Sequence, residues 1–376
     1  MLDLSAAFDT IDHATLINRL RESYGIEGTA LNWFTSYLQD RHQSVVLSGH
    51  ASDSTKLKYG VPQGSVLGPK LYTMYTKPLG TLIRMHGLEY HMYADDTQLY
   101  IYFPTRNLSD QKRTVLQLEN CLKDIRSWMS SNFLKLNTDK TEVMLFLPRG
   151  KVLDQIPVTV DGSSIEPSTA VRNLGVIFDQ HLTMEKQVNS VARSCFFHLR
   201  NIGRLRNCLT IDATKSLVNG LVTSRLDYCN ALLNGVSGQL VQSLQKVQNA
   251  SARLITRTKK YDHITPVLID LHWLPVKYRI QYKVLINAFR ALHSTAPPYI
   301  SELVSFHRPG RALRSAGQHK LQVPRYKTVC GGRSFGASAP RLWNELPNSL
   351  RAIDDLSLFK SKLKTHLFNQ AYTKIF

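Results

Sequence analysis

No stretch of the chain approaches the roughly 18 uninterrupted apolar residues that a membrane-spanning helix requires, so no span is expected. Cysteine is scarce: Cys121, Cys195, Cys208, Cys229 and Cys330 are scattered and include no C-x-x-C pair. That spacing argues against a zinc module and a disulfide framework, and it fits a reducing compartment. The first residues carry Asp3, Asp9 and Asp12 and no basic stretch ahead of an apolar run, so a secretory signal is not expected. Internal repeats and low-complexity tracts are lacking too, which sets aside a repeat architecture. Acids are scarce in one half only. Residues 1–150 hold 16 basic and 15 acidic side chains, whereas residues 151–376 hold 31 basic and 13 acidic ones, so a net +1 stands beside a net +18.

What is present is an ordinary globular composition, 43% hydrophobic and 20% charged over 376 residues. That length is enough for two or three domains with a sizeable core. The basic back half points to a polyanionic partner, most simply nucleic acid. A solubilising surface is the plain alternative.

Apolar spacing predicts helices over 13–24, with Leu16, Ile17 and Leu20 on one face, and over 28–40, with Leu31, Phe34, Tyr37 and Leu38. Residues 1–4 read as the end of a short strand, followed by a turn near Ala6–Asp9. Ser44–Leu47 and Thr55–Leu57 alternate like a hairpin pair, 68–87 is a helix candidate, and Tyr90–Tyr93 with Gln98–Phe103 flank a tight acidic turn. Residues 111–131 form the clearest helix, with Val115, Leu118, Leu122, Ile125 and Met129 in one stripe and Ser109 or Asp110 as its cap. Glu142–Leu147, Val158–Val160 and Asn173–Phe178 read as strands. This order of hairpins and helices predicts an α+β layer rather than a doubly wound sheet. Beyond Asp179, residues 181–205, 211–234 and 237–258 read as basic amphipathic helices. Tyr261–Pro275 breaks the pattern, 276–293 is helical again, Pro297–Pro347 is loop-rich, and the last twenty residues end in one more basic helix. Boundaries near 180 and 260 divide the chain into 1–180, 181–260 and 261–376.

Three pieces of the first segment carry chemistry: Asp3 at a strand end in LDLSAAFDTID, GVPQGSVLGP at 60–69, and YADD at 93–96 in a hairpin turn. A two-metal phosphoryl transfer needs carboxylates from separate chain segments around ions about 3.5–4 Å apart. A strand end and a turn on a neighbouring strand can supply them. Taken alone, an Asp-Asp turn is an ordinary turn, and so is a Gly-Pro-Gly loop. Paired acids repel, and a bound cation relieves them.

Taken together, these blocks resemble a known family. Asp3 with Phe8 in LDLSAAFDTID, GVPQGSVLGP at 60–69, YADDTQLY at 93–100, LNTDKTE at 136–142 and NLGVIFD at 173–179 resemble motifs A to E of a reverse transcriptase. Their wording is similar to the non-LTR retrotransposon branch, LINE-type and Jockey-like. LHWLPVKYRIQYKVL at 271–285 resembles the segment that follows the thumb in that branch. The resemblance implies a right-hand polymerase palm without fingers over 1–180, a helical thumb over 181–260 and a basic, mainly helical C-terminal domain over 261–376. It implies RNA-directed DNA synthesis from dNTPs on a primer 3′-hydroxyl, with an RNA template, a DNA primer and two Mg2+ ions, for which Mn2+ could substitute.

The resemblance also assigns roles. Asp3, Asp95 and Asp96 would hold the metals. Phe8 would lie under the nucleotide sugar and exclude a 2′-hydroxyl, or be a core side chain. Gln63 and Gly64 would meet the template base and nucleotide, with glycine admitting close backbone approach. Tyr93 and Ala94 would floor the primer end. Lys140 would protonate departing pyrophosphate, or be an exposed strand-end lysine. Asn173, Leu174 and Gly175 would form the primer grip. Arg193, Arg200, Arg204 and Arg206, and a second cluster of Arg253, Arg257, Lys259 and Lys260, would hold phosphates, or be solvated faces. Trp273 and Trp343 are expected in the core.

The chain begins two residues before Asp3. The fingers region and endonuclease of such elements are therefore expected to be missing, making this a fragment with a partly uncovered sheet. The family implies nuclear and cytoplasmic localisation. Two other functions compete: a catalytically inactive basic nucleic-acid-binding remnant, and an interaction module retained after loss of chemistry. The intact motif acids count against both.

Overall fold

The computed structural model describes residues 1–5, 8–62, 64–103, 108–148, 157–160, 162–307 and 319–373. The chain forms two compact units, Met1–Leu145 with Lys151–Thr169, and Phe146–Gly150 with Ala170–Phe376. The division falls at 169/170 rather than at 180, and none falls at 260.

In the first unit, strand β1 (Asp3–Ser5) precedes helix α1 (His13–Tyr24). α1 starts where the Asp12 carboxylate accepts the Thr15 backbone N–H at 2.7 Å, and it stops at Gly25, whose φ of 63° suits a residue without Cβ. Its spacing turns Leu16 and Leu20 inward. α2 (Gly28–Leu38) buries Leu31 and Leu38. Four short strands follow, β2 (His42–Gln43), β3 (Val46–Leu47), β4 (His50–Ala51) and β5 (Thr55–Lys56). They form nested hairpins, β2 with β5 and β3 with β4. This corrects the expected pairing of Ser44–Leu47 with Thr55–Leu57. Ser48 and Gly49 both adopt positive φ, 50° and 85°, and such a two-residue turn folds Leu47 back onto His50.

α3 (Gly68–Met85) buries Leu71, Tyr72, Tyr75, Leu79 and Ile83. Gly80 is where this helix meets the Tyr90 ring, which a Cβ would strike. β6 (Glu89–Tyr93) and β7 (Asp96–Tyr100) form the expected hairpin. α4 (Leu108–Ser131) buries Leu122, Ile125 and Met129 along the expected stripe. Ser109 and Asp110 lie inside its first turn rather than capping it, and Asp110 pairs with Arg113 at 3.1 Å. β8 (Lys135–Asn137), β9 (Val158–Val160) and β10 (Ser163–Ile165) complete the unit. β1 runs antiparallel to β8, with Asp3 opposite Asn137. On its other edge a Leu2–Thr97 bridge ties β1 to β7. Glu142–Leu147 is not a strand. Glu142 exchanges two bonds with Met1, while Val143 and Leu147 make one backbone bond each, with Ser168 and Gln180, so the pairing changes partner along the segment and no ladder forms. One apolar cluster joins β1, α1, α3 and α4, each fully buried Leu or Ile contributing about 1.5–3 kcal/mol.

In the second unit, β11 (Ala170–Asn173) and β12 (Val176–Asp179) form a hairpin, so the expected single strand over Asn173–Phe178 is broken by a turn. Asp179 ends it as a junction. Burial pushes its carboxyl up, but the N–H groups of Thr183, Met184 and His181 and the Thr183 hydroxyl outweigh that and hold it below the usual carboxylate range. α5 (Glu185–Leu205) buries Val188, Cys195, Leu199 and Ile202. The expected helix over 211–234 is interrupted. α6 (Ile211–Val218) passes through a π turn at Asn219–Thr223 into α7 (Ser224–Asp227), and Cys229 at φ 51° ends the run. Then come α8 (Gly238–Thr256), α9 (Ile264–Asp270) inside the expected break, and α10 (Val276–Leu292). The stretch expected to be loop-rich holds α11 (Pro298–Ser301), α12 (Val329–Arg333) and the buried α13 (Phe335–Glu345). α14 (Asn348–Arg351) and α15 (Leu356–Tyr372) follow. Trp343 is buried, its indole N–H donating to His319 O at 2.9 Å, and Trp273 packs half-buried against apolar neighbours. α10 explains why the unit does not divide at 260: Val276 and Ile280 belong to the cluster of α5 and α8, and Val284, Leu285 and Phe289 to that of α13 and α15.

Candidate active site

The acidic side chains converge through strand pairing. Tyr93 pairs with Asp96 at the end of the β6–β7 hairpin, leaving Ala94 and Asp95 as a two-residue turn with Ala94 at φ 52°. Leu2 donates to Thr97 O at 2.8 Å, and Thr97 returns a bond to Leu2 O at 3.4 Å. That bridge sets Asp3 beside the Asp95–Asp96 turn. The Asp96 carboxyl, although at the surface, is held above its ordinary range, first by loss of hydration and then by the charges of Asp95 and Asp3. Tyr93 is exposed. Asp3 Oδ2 is buried with no hydrogen-bond partner. Lys140, in a single 3-10 turn after β8, brings its ammonium to 3.6 Å from that oxygen, an ion pair too long for a hydrogen bond.

Behind the turn stands α3. Burial, then the charge of Asp95, pushes the Tyr72 phenol well above its usual range, and its hydroxyl has no hydrogen-bond partner. The half-buried Phe8 ring leans on Tyr72 with centroids 5.0 Å apart. Sequence reasoning did not single out Tyr72. The available signal was a tyrosine inside an otherwise apolar helical stripe, where its hydroxyl needs a purpose.

The 60–69 loop is stitched to the chain after Asp3. Gly60 donates to Ile11 O at 2.8 Å, His13 Nε2 donates to Gly60 O at 2.8 Å, and Val61 donates to Phe8 O at 2.9 Å. Gly60 sits at φ 88°, and a Cβ there would lie 3.0–3.1 Å from backbone atoms of Phe8 and Asp9. Gly64 turns the loop at φ 77°. The Ser65 hydroxyl then donates to Pro62 O at 2.8 Å and accepts the Gly68 N–H at 2.9 Å, which starts α3. Gln63 lies outside the described residues.

These donors suit a hard divalent cation, because all are oxygens. A cation would relieve both the orphaned Asp3 oxygen and the strained Asp96 carboxyl. Among the described residues, however, no three acidic, His or Cys side chains form a group that could hold a metal ion. The donor chemistry therefore fits, while the ligand cage is not assembled.

In the second unit, Asn173 pairs with Val176 and closes a turn in which Leu174 and Gly175 both have positive φ, 44° and 80°. On α5, Arg193, Arg200 and Arg204 are exposed at helical spacing. Arg206 corrects the expectation of a phosphate contact. It is buried, and its guanidinium donates to Leu254 O, Leu209 O and Ile255 O at 2.8–2.9 Å, closing the end of α8. Arg253 and Arg257 are partly engaged as well, Arg253 with Lys259 O and Asp262 O, and Arg257 with Arg206 O. Lys259 and Lys260 remain exposed, Lys260 lying 5.7 Å over the Tyr261 ring. A cavity of about 450 Å3 in this unit, lined by Phe178, Val284, Ile300 and Phe335 among others, contains none of these residues. No described helix is long and apolar enough to cross a membrane.

Residues 1–178 match the profile of the reverse transcriptase (RNA-dependent DNA polymerase) family. The chain is 25% identical over 287 residues to a probable RNA-directed DNA polymerase from transposon BS of Drosophila melanogaster, covering 74% of this chain and 31% of that protein. It is 25% identical over 285 residues to the RNA-directed DNA polymerase from mobile element jockey of Drosophila funebris, covering 72% and 30%. Among solved structures, a telomerase from Candida albicans covers 80% of this chain and 48% of its own at 16% identity, with a TM-score of 0.32 that is too low to bear on the fold. The chain spans about a third of the length of the curated relatives it matches. The names of these relatives, the matching profile and the motif blocks agree, and residues 1–178 are similar to the reverse transcriptases of mobile elements.

Proposed function

We propose that this chain carries the RNA-directed DNA polymerase chemistry of a non-LTR retrotransposon, adding deoxynucleotides to a primer 3′-hydroxyl on an RNA template. The observation that carries the reading is the Leu2–Thr97 bridge, which puts Asp3 beside Asp95 and Asp96 and leaves an unbonded carboxylate oxygen there. In this reading the first unit is the palm, and the second holds the thumb and the basic C-terminal region.

Asp3, Asp95 and Asp96 would hold divalent cations, Mg2+ or alternatively Mn2+. When bound, these supply charge neutralisation on the phosphates and acidify the primer hydroxyl. Phe8, propped on Tyr72, would lie under the nucleotide sugar. Gln63 and Gly64 would line the template side, and Tyr93 and Ala94 the primer end. Lys140 already faces Asp3, so its ammonium neutralises that carboxylate before it can serve as a proton donor to pyrophosphate. The turn at Asn173, Leu174 and Gly175 would bear on the primer. Arg193, Arg200 and Arg204 would hold duplex phosphates, with Lys259 and Lys260 as a second contact.

A second reading, a nucleic-acid-binding remnant without chemistry, is favoured by the unassembled ligand group among the described residues. Primer extension separates the two. Purified chain, an RNA template with a DNA primer, dNTPs and Mg2+ should give extension, and Asp95→Asn should lower it by about 1,000-fold or more with primer–template binding retained. Salt-sensitive binding without extension in the unaltered chain would establish the remnant instead.

A further inference from the structure

We propose that Tyr228 is a positioning residue that braces the Leu174–Gly175 turn. This rests on the function proposed above, in which that turn bears on the primer strand. The turn stands at the tip of a two-stranded hairpin, and among the described residues no further strand lies beside it. Leu174 carries a Cβ at a φ of 44°, a conformation that relaxes unless its surroundings hold it. The lower part of the hairpin is secured elsewhere, Ile177 donating to Gln187 Oε1 at 2.9 Å and Asp179 collecting the start of α5. At the tip, the Leu174 carbonyl accepts the Tyr228 hydroxyl at 2.6 Å. The Tyr228 ring also closes on Gly175, coming within 3.5 Å of where a Cβ would stand.

The brace is itself anchored. Tyr228 follows α7 directly, and its backbone N–H donates to Ser224 O at 3.0 Å. Its neighbour Asp227 accepts from Arg279 of α10, with Nε at 2.9 Å and a second guanidinium nitrogen in addition, and from Asn230 at 3.2 Å. A path of bonded groups therefore runs from α10 through Asp227 and Tyr228 to the turn. Tyr228 is 54% exposed, so its hydroxyl serves the turn and not the core. A loop that presses on a substrate transmits binding energy only if it cannot recoil, and a single fixed carbonyl at the tip supplies that resistance. Leu174, itself 37% exposed, is the side chain the brace keeps on station.

The test compares the full chain with its Tyr228→Phe variant, which loses only the hydroxyl. Steady-state extension is measured against primer–template and against dNTP, beside the thermal midpoint and primer–template binding by fluorescence anisotropy. Loss of one such bond should raise the KM and Kd for primer–template about fivefold while leaving kcat at saturating primer, the KM for dNTP and the thermal midpoint near those of the parent. A merely structural role would lower the midpoint and kcat and leave the KM for primer–template in place, and that result overturns the proposal. An unaltered KM and Kd overturn it too, while the polymerase reading stands. If the parent binds but does not extend, the Kd ratio alone decides. If the parent neither binds nor extends, the polymerase reading fails, and the brace has no strand to position and falls with it.

Discussion

The two units use charge in opposite ways. The first is nearly neutral in sum, yet the charges of Asp95 and Asp3 bear on Asp96, and one Asp3 oxygen makes no hydrogen bond. The second carries nearly all of the excess positive charge, yet it consumes part of that excess internally: Arg206 closes α8, Arg257 leans on Arg206, and Arg279 holds Asp227. In one unit, position crowds like charges that a balanced composition does not announce. In the other, a surplus of arginine overstates the surface available to a polyanion. A net charge therefore predicts the partner better than it predicts the contacts.

Arg206→Ala probes this contrast most severely. It removes a buried cation and strands three carbonyl oxygens, so it should destabilise the second unit by about 3 kcal/mol, read from urea or thermal unfolding. The salt dependence of nucleic-acid binding by the remaining folded protein should not change. A lowered salt slope with normal stability would return Arg206 to the phosphate-contacting set.

The exposed arginines should behave in the reverse way. Combined Arg193→Ala, Arg200→Ala and Arg204→Ala should leave stability within about 0.5 kcal/mol. It should weaken primer–template binding by about 10- to 100-fold near physiological salt and reduce the slope of log K against log salt by about 2 to 3. Unchanged binding would mean that this face of α5 is only solvated.

The smallest effect belongs to the acids. Asp96 binds its proton more tightly in the folded chain than in the unfolded one, because of its lost hydration and then Asp95 and Asp3. The favourable protonated state is fully present below the ordinary carboxylate range and is lost as pH rises through the raised value. Asp96→Asn should therefore stabilise the first unit near neutral pH, by under about 0.5 kcal/mol given its exposure. The gain should shrink to nothing in acid below about pH 4. A destabilised Asn variant at pH 7 would show that Asp96 holds structure rather than strain.

Much of this was readable along the chain, and the failures share a cause. The span of α1 and the stripe of α4 follow from local periodicity and a capping aspartate, which neighbours in sequence determine. Asp3, Asp95 and Asp96 stand out in sequence because their motifs name them, and the Leu2–Thr97 bridge, which sets Asp3 beside the hairpin turn, is not written in either motif. Glu142–Leu147 reads as a strand because it is apolar, but a strand is defined by its partners, and one reciprocal pair at Glu142 followed by single bonds to other segments is not a ladder. Arg206 looked like its neighbours on α5. Its role depends on carbonyls about fifty residues away, and no local pattern records those. The phenol of Tyr72 was hidden in the same manner, since its meaning comes from Asp95 on another element.

The placement of α10 has a consequence for how the basic unit holds together. Its two ends are buried in different apolar clusters, so neither cluster can open without exposing part of the other. The parts of the unit on either side of such a helix are expected to unfold in one transition. Cutting the chain at residue 260 would not release two autonomous modules, but would leave each half with a core that has lost its wall.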